Sequence, residues 1–190
     1  MIQIRKNVFE TNSSSSHSLI MLKEDKPLPQ FVEPGYYLDV DGKLYLWDND
    51  LEFGRSPFAL LTDWYHRLCY AIAAADDDVE LDVLEEICYS RIPGFRGFKF
   101  PRNGWYDPDK DDPSEEFSHG YIDHQSIGVL EGFLSRNDIS IEDFIFNDRY
   151  IVVIDGDEYN VFDTMRSLPT WNQDAVQAMS GAYDDDTDQE

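Results

Sequence analysis

Tyr36-Tyr37-Leu38-Asp39-Val40-Asp41-Gly42-Lys43-Leu44-Tyr45-Leu46-Trp47 sets two runs of β-favouring residues on either side of an Asp-Gly pair. Asp-Gly between such runs is the strongest short-range hairpin signal, because a two-residue turn of this kind needs φ > 0 at both positions. The sequence therefore predicts a hairpin with Asp41-Gly42 at its corner. A second stretch of the same design, residues 150–154, then Asp155-Gly156, then 158–162, predicts another. Residues 1–9 and 18–22 also read as strands, since Ile2, Ile4 and Val8 fall on alternate positions.

Helical periods lie between these strands. Ser56-Pro57 has the form of a cap followed by a first helical position, and Phe58, Leu61, Trp64, Leu68 and Ile72 recur at three- to four-residue spacing to about Ala74. Asp76-Asp77-Asp78 opens a second helix to about Ser90, with Val79, Val83, Leu84 and Ile87 as its apolar positions. Carboxylates there oppose the positive end of the helix dipole. Residues 126–136 read as a third helix and 138–146 as a short amphipathic piece, whereas 91–105 read as extended. The expectation is one α+β domain over 1–167, an antiparallel sheet built from hairpins packed on two to four helices, followed by an acidic C-terminal tail over 168–190.

Charge narrows the function. The 190 residues carry 39 acids against 15 bases, a net charge of −24. Binding a nucleic acid directly requires a basic face to neutralise phosphates, and an anionic membrane repels such a chain as well. Hydrophobic residues at 42% and aromatics at 14% supply enough core formers for a folded domain. The N-terminal residues lack the apolar stretch of a secretory signal, and the two cysteines, Cys69 and Cys88, are too few for a disulfide framework or a four-cysteine zinc site. A cytoplasmic setting with reduced thiols is expected.

Sixteen of the carboxylates fall in three runs, 76–82, 107–116 and 184–190. Density of that kind is self-repulsive, and two reasons for tolerating it are solubility and function. A carboxylate surface can imitate the charge lattice of a duplex, about one negative charge per 1.7 Å of axis, and so enter the Arg/Lys cleft of a nucleic-acid-handling protein. Asp107, Asp109, Asp111, Asp112, Glu115 and Glu116, with Asp76, Asp77 and Asp78, are the candidate binding residues. Asp107, Asp109 and Asp111 also imitate the first positions of a calcium loop. Asp112 stands where the loop needs Gly, and Ser118 where it needs the bidentate Glu, so a solvated loop is the better reading and no metal is assigned. One strip runs the other way: Arg91, Arg96, Lys99 and Arg102 interleave with Phe95, Phe98, Phe100 and Trp105. Against the global charge, these bases are expected to pair with the protein's own acids.

The window 11–22 holds no formal charge in a chain that is 28% charged. Asn12, Ser13, Ser14, Ser15, Ser16 and His17 offer hydroxyls, an imidazole and turn amides, an inventory that suits an anion. A serine such as Ser15, activated by His17, could also act as a nucleophile. The same residues are ordinary turn chemistry. Here the stretch Val8-Phe9-Glu10-Thr11-Asn12-Ser13-Ser14-Ser15-Ser16-His17-Ser18 resembles the opening of a group of uncharacterised bacteriophage and bacterial proteins, and Asp123-His124-Gln125-Ser126 with Phe144-Ile145-Phe146 is similar to a second stretch of that group. The resemblance implies a phage or mobile-element origin and no particular activity. If the two stretches meet, His17 and His124 with Asp123 would share one polar constellation.

Three functions follow as expectations. The first is a non-enzymatic, phage-type acidic protein that binds and blocks or modulates a basic, nucleic-acid-handling host protein, such as a defence factor, without a cofactor. The second is a small enzyme or phosphate-binding domain using residues 13–17 with His124. The third is an acidic virion or accessory structural protein.

Overall fold

The computed structural model describes residues 16–21, 36–53, 59–75, 78–122, 130, 134–135 and 137–155, and the structural statements below concern those residues. They form a mixed α+β fold. Its strands are β1 (Ser16–Met21), β2 (Leu44–Tyr45), β3 (Glu52–Phe53), β4 (Ala59–Leu61), β5 (Phe98–Lys99), β6 (Tyr121–Ile122) and β7 (Tyr150–Asp155). Its α-helices are α1 (Asp48–Leu51), α2 (Trp64–Ala73), α3 (Asp78–Arg91) and α4 (Ile141–Phe146).

The run Tyr150-Ile151-Val152-Val153-Ile154 is apolar without alternation, the pattern of a strand covered on both faces. It becomes the centre of a three-stranded antiparallel sheet in the order β1-β7-β4, with Leu19 opposite Val152 and Ala59 opposite Ile154. Tyr150, Ile151, Val152 and Ile154 are all buried. Thus the sheet is antiparallel, but it joins strands distant in sequence rather than successive arms of hairpins. Two further pairs, β2 with β5 and β3 with β6, run parallel.

The first hairpin forms, with its corner one residue earlier than the dipeptide suggests. Leu38 bridges Leu44 antiparallel, Tyr45 N–H donates to the Tyr37 carbonyl at 2.9 Å, and Gly42 N–H closes the turn on the Asp39 carbonyl at 2.9 Å. Asp41 does not take φ > 0; Gly42 alone does, at +79°. The reason is Asp39, whose carboxylate accepts from the N–H groups of both Asp41 and Lys43 at 2.9 Å and draws the chain into an Asx-type turn. Of the second hairpin, the first arm is β7, which takes in Asp155 of the expected turn as a strand residue opposite Ser16; Gly156 and the return arm lie outside the described residues, as do residues 1–9 and 168–190.

The helix that should begin at Ser56-Pro57 begins instead at Trp64. Residues 59–61 are captured as β4 against the open edge of β7, since a short run such as Ala59-Leu60-Leu61 satisfies either period. Asp63 then caps α2, its Oδ1 accepting from His66 N–H at 3.0 Å. Tyr65 and Arg67 through Ile72 are all buried, so α2 is enclosed on nearly every side rather than along one stripe. Helix α3 is peripheral: Leu84 and Cys88 turn inward, while Val79 (68% exposed) and Val83 (45%) face out, contrary to the expected stripe. Helix α4 falls within the expected 138–146 piece and is capped by Ser140, whose Oγ accepts from Asp143 N–H at 3.0 Å. Leu130 and Leu134 fall in helical conformation inside the expected 126–136 segment.

Candidate interaction surface

The acidic stretch is a closed lobe. Its two legs pair antiparallel: Arg102 bridges Phe117, Asn103 N–H donates to the Glu116 carbonyl at 2.8 Å, and Ser118 N–H donates to the Pro101 carbonyl at 3.0 Å. Between the legs the carboxylates hold the backbone. Asp107 accepts from Asp109 N–H at 3.1 Å and from Lys110 Nζ at 2.5 Å, and Asp111 accepts from Asp107 N–H at 2.6 Å. Asp112 caps a short 3₁₀ turn, Pro113–Glu115, by accepting from both the N–H and the hydroxyl of Ser114 at 2.9 Å. The Lys110 ammonium beside Asp107, and the Ser114 amide and hydroxyl on Asp112, hold both carboxyls below the usual carboxylate range. The lobe is thus ordered by its own side chains. Asp109, Asp112 and Glu115 are exposed, and Trp105 stands beside them 94% exposed.

Three of the four bases in the strip pair with the protein's own acids, and Arg96 Nη1 donates to the Phe95 carbonyl at 2.9 Å. Arg91 reaches Glu142 at 3.2 Å, Lys99 reaches Asp39 at 3.5 Å and Arg102 reaches Glu116 at 3.2 Å. Phe95 and Phe98 are buried in the core and Phe100 packs against it, whereas Trp105 stands out in solvent. Of the residues assigned to the acidic surface, Asp76 and Asp77 lie outside the described set and Asp78 is the first residue of α3.

A surface that sequence reasoning missed lies on the hairpin. Leu44 and Leu46 point inward with no exposure, so the pleat puts Tyr45 and Trp47 on the opposite face. Tyr37 (55% exposed) packs on Tyr45 with centroids 6.3 Å apart, and Tyr45 packs on Trp47 (54% exposed) at 4.8 Å. The outward side of an antiparallel sheet is ordinarily polar; here it is aromatic. The alternation of Leu44, Tyr45, Leu46 and Trp47 was the available signal, masked because both faces read as apolar.

Residues proposed for chemistry fare differently. Ser16 and His17 begin β1, with His17 opposite Ile154 of β7. Asn12, Ser13, Ser14, Ser15, Asp123 and His124 lie outside the described residues. Cys69 and Cys88 are buried and unpaired; burial raises both thiols, Cys88 to about 12, so neither is a ready thiolate. Among the described residues no group of three or more His, Cys, Asp or Glu is arranged to hold a metal, and no helix is long and apolar enough to cross a membrane.

Hollows also open among the described residues. One of about 570 Å³ is lined mainly by apolar side chains, including Ala71, Ala74, Val83, Leu84, Leu134 and Ile139. Another, about 470 Å³, is polar, but its groups engage one another. Asp143 accepts from Asn147 Nδ2 at 3.0 Å and from the Tyr150 hydroxyl at 3.1 Å, and Arg91 pairs with Glu142.

A scan of protein-family models finds no match, and searches of curated proteins and of solved structures find none either.

Proposed function

We propose that this chain is a non-enzymatic acidic interaction protein that engages a basic, nucleic-acid-handling protein by presenting carboxylates where that partner expects phosphates. One observation carries the reading: the lobe over 107–116 is preorganised by its own Asp carboxylates and projects them beside a Trp105 that is 94% exposed. A loop that binds through fixed charges loses less conformational freedom on association than a floppy one. Tryptophan is also the side chain most enriched where interfaces concentrate their energy. The excess of 24 negative charges adds field-steered association. The resemblance to phage proteins fits a phage-type inhibitor that blocks or modulates a host defence or transcription factor in the host cytoplasm.

The reading is tested by affinity capture from bacterial lysate at 50 and 500 mM salt, using the native chain and a chain carrying Asp109→Asn, Asp112→Asn and Glu115→Gln. These substitutions remove charge and leave Asp112 an acceptor oxygen for its cap. The expected result is a basic protein retained at low salt, released at high salt, displaced by duplex DNA and lost with the neutralised lobe. Capture that ignores both salt and the substitutions overturns the proposal.

A further inference from the structure

Twice within the described residues this fold holds one of its own cations between a ring and a carboxylate. Lys99 Nζ lies 5.0 Å from the centroid of the Tyr45 ring and 3.5 Å from Asp39 Oδ2. The Arg91 guanidinium carbon lies 5.1 Å from the centroid of Phe146, with Nη1 3.2 Å from Glu142 Oε1. Ring quadrupole and carboxylate attract the same positive charge, and each restrains where it sits. The hairpin face extends the first of these arrangements outward. Tyr37 and Trp47 flank Tyr45, each more than half exposed, and Trp47 is followed at once by exposed Asp48 at the start of α1. From Asp39 to Asp50 the chain holds four Asp and one Lys.

We propose that the aromatic face of Tyr37, Tyr45 and Trp47 is a docking surface for an arginine-bearing segment of a protein partner, with Asp48 as the carboxylate that meets the guanidinium. Arginine is specified over lysine because a planar guanidinium stacks on an aromatic face and donates sideways to a carboxylate at the same time, which a compact ammonium does not. Single-stranded nucleic acid also stacks on exposed aromatic sheet faces, but the net charge of this segment repels a phosphate backbone. The inference rests on the reading that the chain binds a basic protein, and it adds a chemical preference that charge imitation alone does not give.

Deca-arginine and deca-lysine carry equal charge and separate the two ideas. Their affinities are measured at 150 mM salt for the native chain and for Trp47→Leu and Tyr37→Leu, which keep apolar area at each position and remove the ring. The expected result is about three- to tenfold tighter binding of deca-arginine, with the preference lost in the variants while deca-lysine binding is unchanged. Each variant is checked for an unchanged unfolding midpoint. Equal binding of the two peptides, indifferent to the variants, overturns this surface and leaves the charge-imitation reading standing. No binding of either peptide overturns both. A twenty-residue oligo-dT that binds and is lost in the same variants overturns the proposal in favour of a nucleic-acid surface.

Discussion

Arg67 Nη1 donates to the carbonyl oxygen of Tyr150 across 2.8 Å, from a side chain with no exposure to solvent. The same guanidinium gives Nε to the Ile145 carbonyl at 3.0 Å, so one residue of α2 closes backbone acceptors at the end of α4 and at the start of β7. Its carboxylate neighbour, Asp148, lies 3.5 Å away and is 79% exposed, hence largely screened by water. The energetic weight therefore falls on the two carbonyls.

Arg67→Ala should lower unfolding stability by about 3–5 kcal/mol, since it empties a buried site and strands two acceptors. Asp148→Ala should change it by less than about 1 kcal/mol. Urea unfolding of both variants checks the ordering; a larger loss from Asp148→Ala would place the energy in the ion pair instead.

Gly42 presses the hairpin onto the turn after α3. Its φ is +79°, a Cβ there would collide with the Gly94 carbonyl oxygen, and its own carbonyl accepts from Arg96 N–H at 2.7 Å. Gly42→Ala should therefore cost at least about 1–2 kcal/mol from conformation alone, with the collision added. Unfolding curves of Gly42→Ala beside Val40→Ala make the comparison, because Val40 is 98% exposed and its replacement should be near neutral.

What the sequence disclosed, and what it did not, divides by the range of the interactions. The first hairpin, the short helix within 138–146 and an exposed acidic loop at 107–116 were legible because each is decided within a few residues, as the local bonds of Asp39 to Asp41 and Lys43, Ser140 to Asp143 and Asp107 to Asp109 show. Strand β4 was not legible. Nothing local in Ala59-Leu60-Leu61 favours a strand over a helix until β7 offers an open edge. Arg67 was hidden for the same reason, its acceptors being supplied from the far end of the chain. At the site, the exposure of the acids was foreseeable, whereas that of Trp105 was not, because a tryptophan is on average well buried. The aromatic hairpin face stayed hidden because a strand alternating Leu with Tyr or Trp looks apolar on both sides.

The lobe gives a local prediction. The Asp107 carboxylate links Asp109 N–H and Lys110 Nζ, and the Lys110 ammonium holds its pKa below the ordinary Asp value. Asp107→Ala should release that end of the lobe, and tryptic cleavage after Lys110 should accelerate severalfold relative to the native chain. Asp107→Asn, which keeps an acceptor oxygen, should fall between them. Equal cleavage rates for all three would mean that the legs at Arg102 and Phe117 order the lobe by themselves.

The start of α2 titrates. Asp63 Oδ2 accepts from His66 Nδ1 at 2.7 Å while Oδ1 accepts from His66 N–H, so one histidine donates to the cap through both its backbone and its ring. The hydrogen bond from His66 and the histidine charge hold Asp63 low against the opposing effect of burial; the bond to Asp63 holds His66 above its ordinary value. For His66 the folded pKa is raised, so its contribution is complete below about pH 6.5 and fades as the pH climbs through the raised value. For Asp63 the folded pKa is lowered, so its contribution is complete above about pH 4 and fades as the pH falls through the lowered value. The pair is strongest between these limits, and His66 is exposed enough that screening holds it to about 0.5–1 kcal/mol. His66→Ala should thus destabilise more at pH 5.5 than at pH 8.5, where the backbone cap from Asp63 survives alone. Asp63→Ala, which removes cap and pair together, should cost about 1 kcal/mol more than His66→Ala at pH 8.5. A loss from His66→Ala that is the same at both pH values would show that the imidazole acts there by packing and not by charge.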